Sequence, residues 1–525
     1  MRLGHQALMS AQKTQARRLC YILVFDLGTT CFKGTLFDDK GDLKALARIP
    51  TPFTNTAGGY SEISVPAFDA SLLALTKDLQ KDAPEAYAQV NAVTFATQTN
   101  SFVLLDEKDE ALTPIVVWND LRAMDHDTPL DTSIADGQEC GLSSPKEGAR
   151  DASKTTCDFS KPVDEPAGTT RTVHRVRKPA LLNLEALPGF YEKTGIPGLS
   201  PEFAVAKLHW YQIQCPELWE RVARIALISD LLTLRFAEQF VTEAGAAGLT
   251  GLVNIHTLQW WPEALEIAGL ERDDLPNIVR AGTNLGPITP QAATRFGLPA
   301  DCVFVVGCLD QYAGAIGAGN IHAGDVSETT GTVLATVRST DTFDPTPGSP
   351  IFWGPSAEPG RYYQMVFGSV SANLLEAFQK ALPTPVTFAE LDELAAATET
   401  SLTLPDDVDG PKLLSHVREW ARTQDTGEAV RAILTGVANA LKKQVAQLCG
   451  TTQPTTIHCV GGAAKSRVWM DIKANTVGVP MRAVDCPEPT SLGAALLVMA
   501  NLTGKPMSEL VMQHVKLEPP IVPRN

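Results

Sequence analysis

The sequence predicts an α/β protein of two similar domains that face one another across a cleft. Three observations carry this. A strand–turn–strand pattern with a Gly-Thr turn occurs twice, at residues 21–37 and 326–337. Each copy is followed by alternating strand-like and helix-like segments, the grammar of layered α/β units. The chain has 525 residues, 44 % apolar and 20 % charged, which suits about two to four domains whose cores need no cross-links.

Residues 1–20 contain Arg2, Lys13, Arg17 and Arg18, no acid and no apolar segment. They read as a flexible extension rather than a secretory signal. Residues 21–26 (YILVFD) are an apolar run ending in an acid. Gly28-Thr29-Thr30 makes a tight turn, residues 31–37 alternate, and Asp38-Asp39-Lys40-Gly41-Asp42 turns the chain again. That pattern is strand, turn, strand, turn, strand. Residues 66–81 have helical periodicity, and 90–97, 102–105 and 115–118 read as strands. Residues 126–180 are rich in Ser, Thr, Pro, Gly, Asp and Lys without apolar periodicity, which marks an insertion. Helices are predicted near 202–212 and 231–238. The turn-rich stretch 281–287 places the domain boundary at 283, giving units 21–282 and 283–525. In the second unit, 302–306 reads as a buried strand, 310–319 as a small-residue helix, and 326–337 as a hairpin. A long helix over 428–449 leads to a strand at 455–460, Gly461-Gly462 and another helix.

Net charge is −16, from 44 Lys and Arg against 60 Asp and Glu. No broad basic face for nucleic acid is expected. Acidity does not forbid a phosphate site, which backbone N–H groups can build locally. No run of 18 apolar residues occurs, so no membrane-spanning helix is expected. The ten cysteines are scattered and read as reduced thiols of a cytoplasmic protein, with no disulfide framework or zinc site.

Five motifs can carry chemistry. In Asp26-Leu-Gly-Thr29-Thr30-Cys-Phe-Lys33, turn N–H groups and hydroxyls can donate to phosphates. Asp26 can hold a magnesium ion and Lys33 can add a point charge. An ordinary turn with a surface lysine explains that segment equally simply. Ser327-Glu-Thr-Thr-Gly331-Thr332 is a second such hairpin, and together the two could clamp a triphosphate. Gly461-Gly462-Ala463-Ala-Lys-Ser466 lies between a strand and a helix start, where backbone can approach a flat ligand. It is neither a Walker A loop nor G-x-G-x-x-G, and the glycines of 314–319 are better suited to close helix packing. Asp310, in Gly307-Cys-Leu-Asp310-Gln311, follows a buried strand and could accept a proton from a substrate hydroxyl. A helix N-cap is its bland alternative. Trp118-Asn-Asp120-Leu-Arg122 mixes an aromatic face with amide, acid and guanidinium, as polyol sites do; the alternative is an ion pair at a domain interface.

Taken together and in order, these motifs resemble the FGGY carbohydrate kinases of the actin/Hsp70/sugar-kinase ATPase superfamily. The resemblance runs over about 21–505, interrupted by 126–180. It implies two ribonuclease-H-like domains, ATP and magnesium in the cleft, and phosphorylation of a sugar or polyol hydroxyl. By position, Asp310 matches the catalytic base and Asp26 the magnesium-side acid. Thr29, Thr30 and Lys33 match the first phosphate loop, Gly331 and Thr332 the second. Gly462, Ala463 and Ser466 fall in the adenosine motif. Asn100, Trp118, Asp120, Arg122 and Gln311 are the expected substrate contacts. Trp118-Asn-Asp-x-Arg and the 103–106 strand look xylulokinase-like, with Thr99-Asn100-Ser101 departing from the usual Met-His-Gly. Thr242-Glu243, Asn254 to Trp260 and Gln311 look glycerol-kinase-like.

The expectation is therefore an ATP-dependent sugar or polyol kinase, D-xylulose being the leading substrate and glycerol or another polyol or ketose the alternative. Its partners are a small sugar or polyol and ATP, without nucleic acid or membrane, and a homodimer is left open. Two readings of other classes stand beside it: a nucleotide-gated pseudo-kinase, motivated by the departures at 99–101, and an actin- or Hsp70-like ATPase acting on protein.

Overall fold

The computed structural model describes residues 19–55, 59–124, 184–405 and 410–524. The readings of residues 1–18 as an extension and of 126–180 as an insertion fall outside these.

The first hairpin forms as its sequence implies: Tyr21–Leu27 pairs antiparallel with Cys31–Asp38, which pairs with Leu43–Pro50. Tyr21–Leu27 also lies parallel to Val90–Thr97, followed by Val303–Val305 and, antiparallel at the edge, Asn284–Pro287. The central strand is apolar on both faces because both are covered. Ile22 and Val24 point into one core cluster and Leu23, Phe25 and Leu27 into another.

The second half repeats this topology. Val326–Thr330, Leu334–Thr340 and Tyr362–Gly368 form the antiparallel set, and Ile457–Val460 and Met481–Ala483 run parallel to the first strand. A third, five-stranded sheet on the first half holds Ser61–Ile63, Phe102–Leu105, Ile115–Val116 and Arg224–Leu227, and the loop carrying Trp118 leaves from it.

The boundary expected at residue 283 is corrected. The turn at 281–287 opens an edge strand of the first sheet, with Asn284 opposite Val305 and Pro287 opposite Val303. The first half therefore continues through the helix Asp310–Gly317. A turn signal marks a reversal of the chain and does not say in which sheet the next strand pairs.

Each half carries a helix at the junction, Asp310–Gly317 and Pro489–Thr503, and these two cross at backbone contact. A Cβ on Gly317 would lie 1.8 Å from the Pro489 carbonyl oxygen, and one on Gly493 1.9 Å from that of Ala313. No side chain fits at either position, and the crossing forms the seam between the halves.

Candidate active site

Three parallel strands of the first sheet end side by side. Leu27 and Leu309 both register with Thr97. The turn at Gly28–Thr30, the Gln98–Ser101 segment and Asp310 are thereby set next to one another at carboxyl ends, where open α/β sheets bind ligands.

Asp310 is the first residue of its helix, and its Oδ1 accepts from the Gln311 N–H at 2.7 Å. Burial, reinforced by the charge of Asp26, raises its pKa from 3.8 to about 7; the Gln311 N–H and Lys33 pull the other way. The strand before it is fixed by Glu243, whose buried carboxylate accepts from the N–H groups of Gly245, Ala246 and Leu309 at 2.7, 2.9 and 3.3 Å. Glu243 entered the sequence reading only as part of a motif. Its supporting role was not visible there, because Leu309 lies 66 residues away.

The two Gly-Thr hairpins meet across the cleft. Thr30 Oγ1 and Thr332 Oγ1 are 3.4 Å apart, although 302 residues separate them. Trp118 Nε1 donates to Thr29 Oγ1 at 2.8 Å. Asp26 faces Lys33 across the hairpin register, with the ammonium 3.0 Å from the carboxylate. Lys33 is not a free point charge, however: it also pairs with Glu488 of the second half at 2.8 Å. Burial works against its charge, but the two carboxylates prevail and hold its pKa above the ordinary value. For Asp26 burial wins over Lys33, and its pKa is raised.

Beneath the second hairpin lies a wholly buried ion pair. Lys473 Nζ reaches Glu328 and Thr330 Oγ1, each at 2.7 Å, and Thr330 donates to Glu328 at 2.6 Å. Above it, an added Cβ at Gly331 or Gly462 would meet nothing within 4 Å. Gly461 sits at φ +89°, and a Cβ there would press to 3.0 Å from the Thr330 carbonyl. The glycine turn thus packs directly against the second hairpin. Ala463 buries its side chain in the core, and Ser466 caps the next helix by accepting from Trp469 N–H at 3.1 Å.

Several expected substrate contacts are corrected. Asn100 adopts a left-handed backbone, φ 57°. Its amide is held at both ends, donating to the Leu249 carbonyl at 3.1 Å and accepting from Ala204 N–H at 3.0 Å. Asp120 is fully buried and accepts from Ser61 N–H and from Arg122. Arg122, 2 % exposed, is saturated by Asp120, Glu62 and the Tyr211 hydroxyl and stacks against Tyr60, Trp210 and Tyr211. These three residues build the wall rather than line the cleft, and the Asp120–Arg122 pair lies within the first half, not at a domain interface. Lys207, also buried, donates to the carbonyls of Val117 and Trp118 at 3.0 and 2.7 Å, and burial brings its pKa down to about 7.

Other amides remain open. Gln311 Oε1 and Gln98 Nε2 are buried without a protein partner. The orientation of Gln98 follows from a relay. Trp118 N–H donates to Ser101 Oγ at 2.9 Å, and the Ser101 hydroxyl donates onward to Gln98 Oε1 at 3.2 Å. In this orientation the free end of Gln98 is its amide NH2, a donor.

Comparison with known proteins agrees with this architecture. The description "FGGY family of carbohydrate kinases, N-terminal domain" matches residues 21–138 and 169–317, and its C-terminal counterpart matches 301–502. The chain belongs to the FGGY family of carbohydrate kinases. It is 24 % identical over 494 residues to a xylulose kinase of Lactococcus lactis, covering 91 % of this chain and 87 % of that one. It is 23 % identical over 314 residues to a gluconokinase of Bacillus subtilis, covering 59 % and 50 %. The solved structure of a gluconate kinase from Lactobacillus acidophilus superposes with a TM-score of 0.75 at 21 % identity, over 96 % of this chain and 94 % of that one. That likeness establishes the fold. As a member of the family the protein is a phosphotransferase that uses a sugar hydroxyl as acceptor, which removes the protein-directed ATPase from consideration. Among the described residues, no helix is long and apolar enough to cross a membrane.

Proposed function

We propose that this kinase transfers the γ-phosphoryl group of ATP to a hydroxyl of D-xylulose, with Asp310 as the base. The observation that carries the chemistry is the position of Asp310: it follows the strand end beside the first phosphate loop, with a carboxyl raised to about 7 and the unpartnered Oε1 of Gln311 next to it on its helix. The residues suit a nucleotide. Two hydroxyl-bearing turns converge at Thr30 and Thr332, and the backbone at Gly331 and Gly462 borders open space. Mg·ATP, when bound, supplies the phosphoryl group and neutralises its oxygens. Asp26 would hold the metal side, directly or through water, and the two turns would hold the phosphates. Asp310 would take the proton of the attacking hydroxyl, and Gln311 and Gln98 would orient the sugar through the open ends of their amides. Closure of the two halves would exclude water from the transfer.

D-xylulose is favoured because the xylulose kinase relative aligns over most of both chains, whereas the gluconokinase aligns over half of its own length. The test is ADP release with D-xylulose, D-ribulose, D-gluconate, glycerol and erythritol at equal concentration. D-xylulose should give the highest kcat/KM. A higher value for gluconate would overturn the substrate, and no sugar-dependent ADP release at all would overturn Asp310 as a working base.

A further inference from the structure

The structure draws one residue into the first phosphate loop that neither motif nor register connects with it. Glu488 belongs to the second half. It immediately precedes the seam helix Pro489–Thr503, beside the carbonyl that Gly317 approaches. Its side chain is 4 % exposed, and its two oxygens are divided. One pairs with Lys33 at 2.8 Å and the other with Arg48. Both cations stand on the first hairpin, in adjacent strands and directly opposite in register. Lys33 is in turn shared with Asp26 at 3.0 Å. Two carboxylates and two cations thus form one neutral cluster spanning the two halves, its carboxylates buried and Arg48 half exposed. A second charged tie between the halves, Lys516 to Asp42, is 3.8 Å long and exposed, and such ties contribute little.

A buried carboxylate placed there carries a desolvation cost that a structural tie alone does not require. Its position gives it a use. An ammonium paired with Asp26 alone would compete with any cation for that carboxylate. With Glu488 present, Lys33 keeps a partner when Asp26 turns to another charge. Glu488 also adjoins the crossing of the seam helices, so the loop is tied to that crossing.

We propose that Glu488 is a positioning residue for phosphoryl transfer: it anchors Lys33 and Arg48 to the seam helix and takes up the Lys33 charge so that Asp26 is free to hold a cation. This rests on the reading of Asp26 as the metal-side acid, and the test separates the two.

Glu488→Gln keeps shape and removes charge. Hydrogen exchange of the protein without sugar or nucleotide should quicken about five- to tenfold in residues 21–50. The helix Thr426–Cys449 should stay unchanged. In turnover, half-saturation by Mg²⁺ at fixed ATP should rise about five- to tenfold, while the sugar KM stays within about twofold. Glu488→Asp, which keeps the charge but shortens the reach, should shift both readouts in the same direction by less. Unchanged exchange at 21–50 would overturn the anchor. Faster exchange spread equally over the whole chain would overturn it too, by reducing Glu488 to a general stabiliser. Faster exchange at 21–50 with unaltered Mg²⁺ dependence would overturn the charge-sharing role. If Asp26→Asn also leaves the Mg²⁺ dependence unaltered, it is the reading of Asp26 that fails.

Discussion

Replacing Asp310 with asparagine should make the enzyme nearly inactive and, at alkaline pH, more stable. The amide preserves the Oδ1 acceptor for Gln311 N–H but cannot take the proton. A general base contributes about 10²–10⁴-fold, so kcat should fall by that factor while nucleotide affinity holds. The stability effect follows from the pKa. The folded-state rise from 3.8 to about 7 corresponds to at most about 4 kcal/mol, at about 1.4 kcal/mol per pH unit. Asp310 borders a solvent-accessible cleft, which reduces the expected value to about 1–2 kcal/mol. The sign follows from which state binds the proton more tightly. A carboxyl whose pKa is raised by folding costs nothing below its unfolded value and destabilises increasingly as pH climbs through the folded one. Asparagine has no such dependence. Melting temperatures of wild type and Asp310→Asn should therefore coincide near pH 4, and the variant should lead by a few degrees above pH 7. A variant that retains half the wild-type kcat refutes the base. A variant equally or less stable at pH 8 refutes the claim that its charge is held at a cost.

Three further outcomes follow from the same geometry. In wild type, kcat/KM should rise about tenfold per pH unit up to about pH 7 and then level, because Asp310 must be ionised to act and its pKa stands near 7; a profile flat from pH 5 to 8 excludes it. Asn100→Ala should lower stability by about 2–4 kcal/mol, from two lost backbone hydrogen bonds and a left-handed alanine, with the sugar KM near wild type; a tenfold rise in that KM would place Asn100 in the pocket after all. Lys473→Met should cost about 3–5 kcal/mol, because it leaves the Glu328 carboxylate buried and unpaired. Lys473→Met with Glu328→Leu should recover most of that in thermal denaturation, and a double variant no better than the single would assign the loss to packing.

Much of the candidate site was legible because it is local. The acid at position 26 and the lysine at 33 face one another wherever a hairpin turns at 28–30, and the strand–turn grammar states that turn. Asp310 could be placed because a buried strand precedes it and a helix follows. The repeat of the same hairpin at 326–337 was enough to foresee two halves around a cleft.

What local sequence could not state was whether a polar side chain near the site was free to meet a ligand. Asn100, Asp120 and Arg122 carry the groups a sugar pocket uses, and each is spent on the protein itself. Asn100 is held by Leu249 and Ala204, 149 and 104 residues away, and Arg122 by Glu62 and Tyr211, 60 and 89 away. Gln98 looks less distinctive in sequence, and Gln311 was expected at the site; both keep an open end. Glu488 enters the first loop from 440 residues beyond Arg48, with no signal in its surroundings. The physical reason is common to all of them. Secondary structure is set by neighbours along the chain, whereas satisfaction of a buried donor or acceptor depends on which distant backbone or charge the packing brings to it. The sequence determines which groups are available for chemistry, and the tertiary structure determines which of them remain unspent.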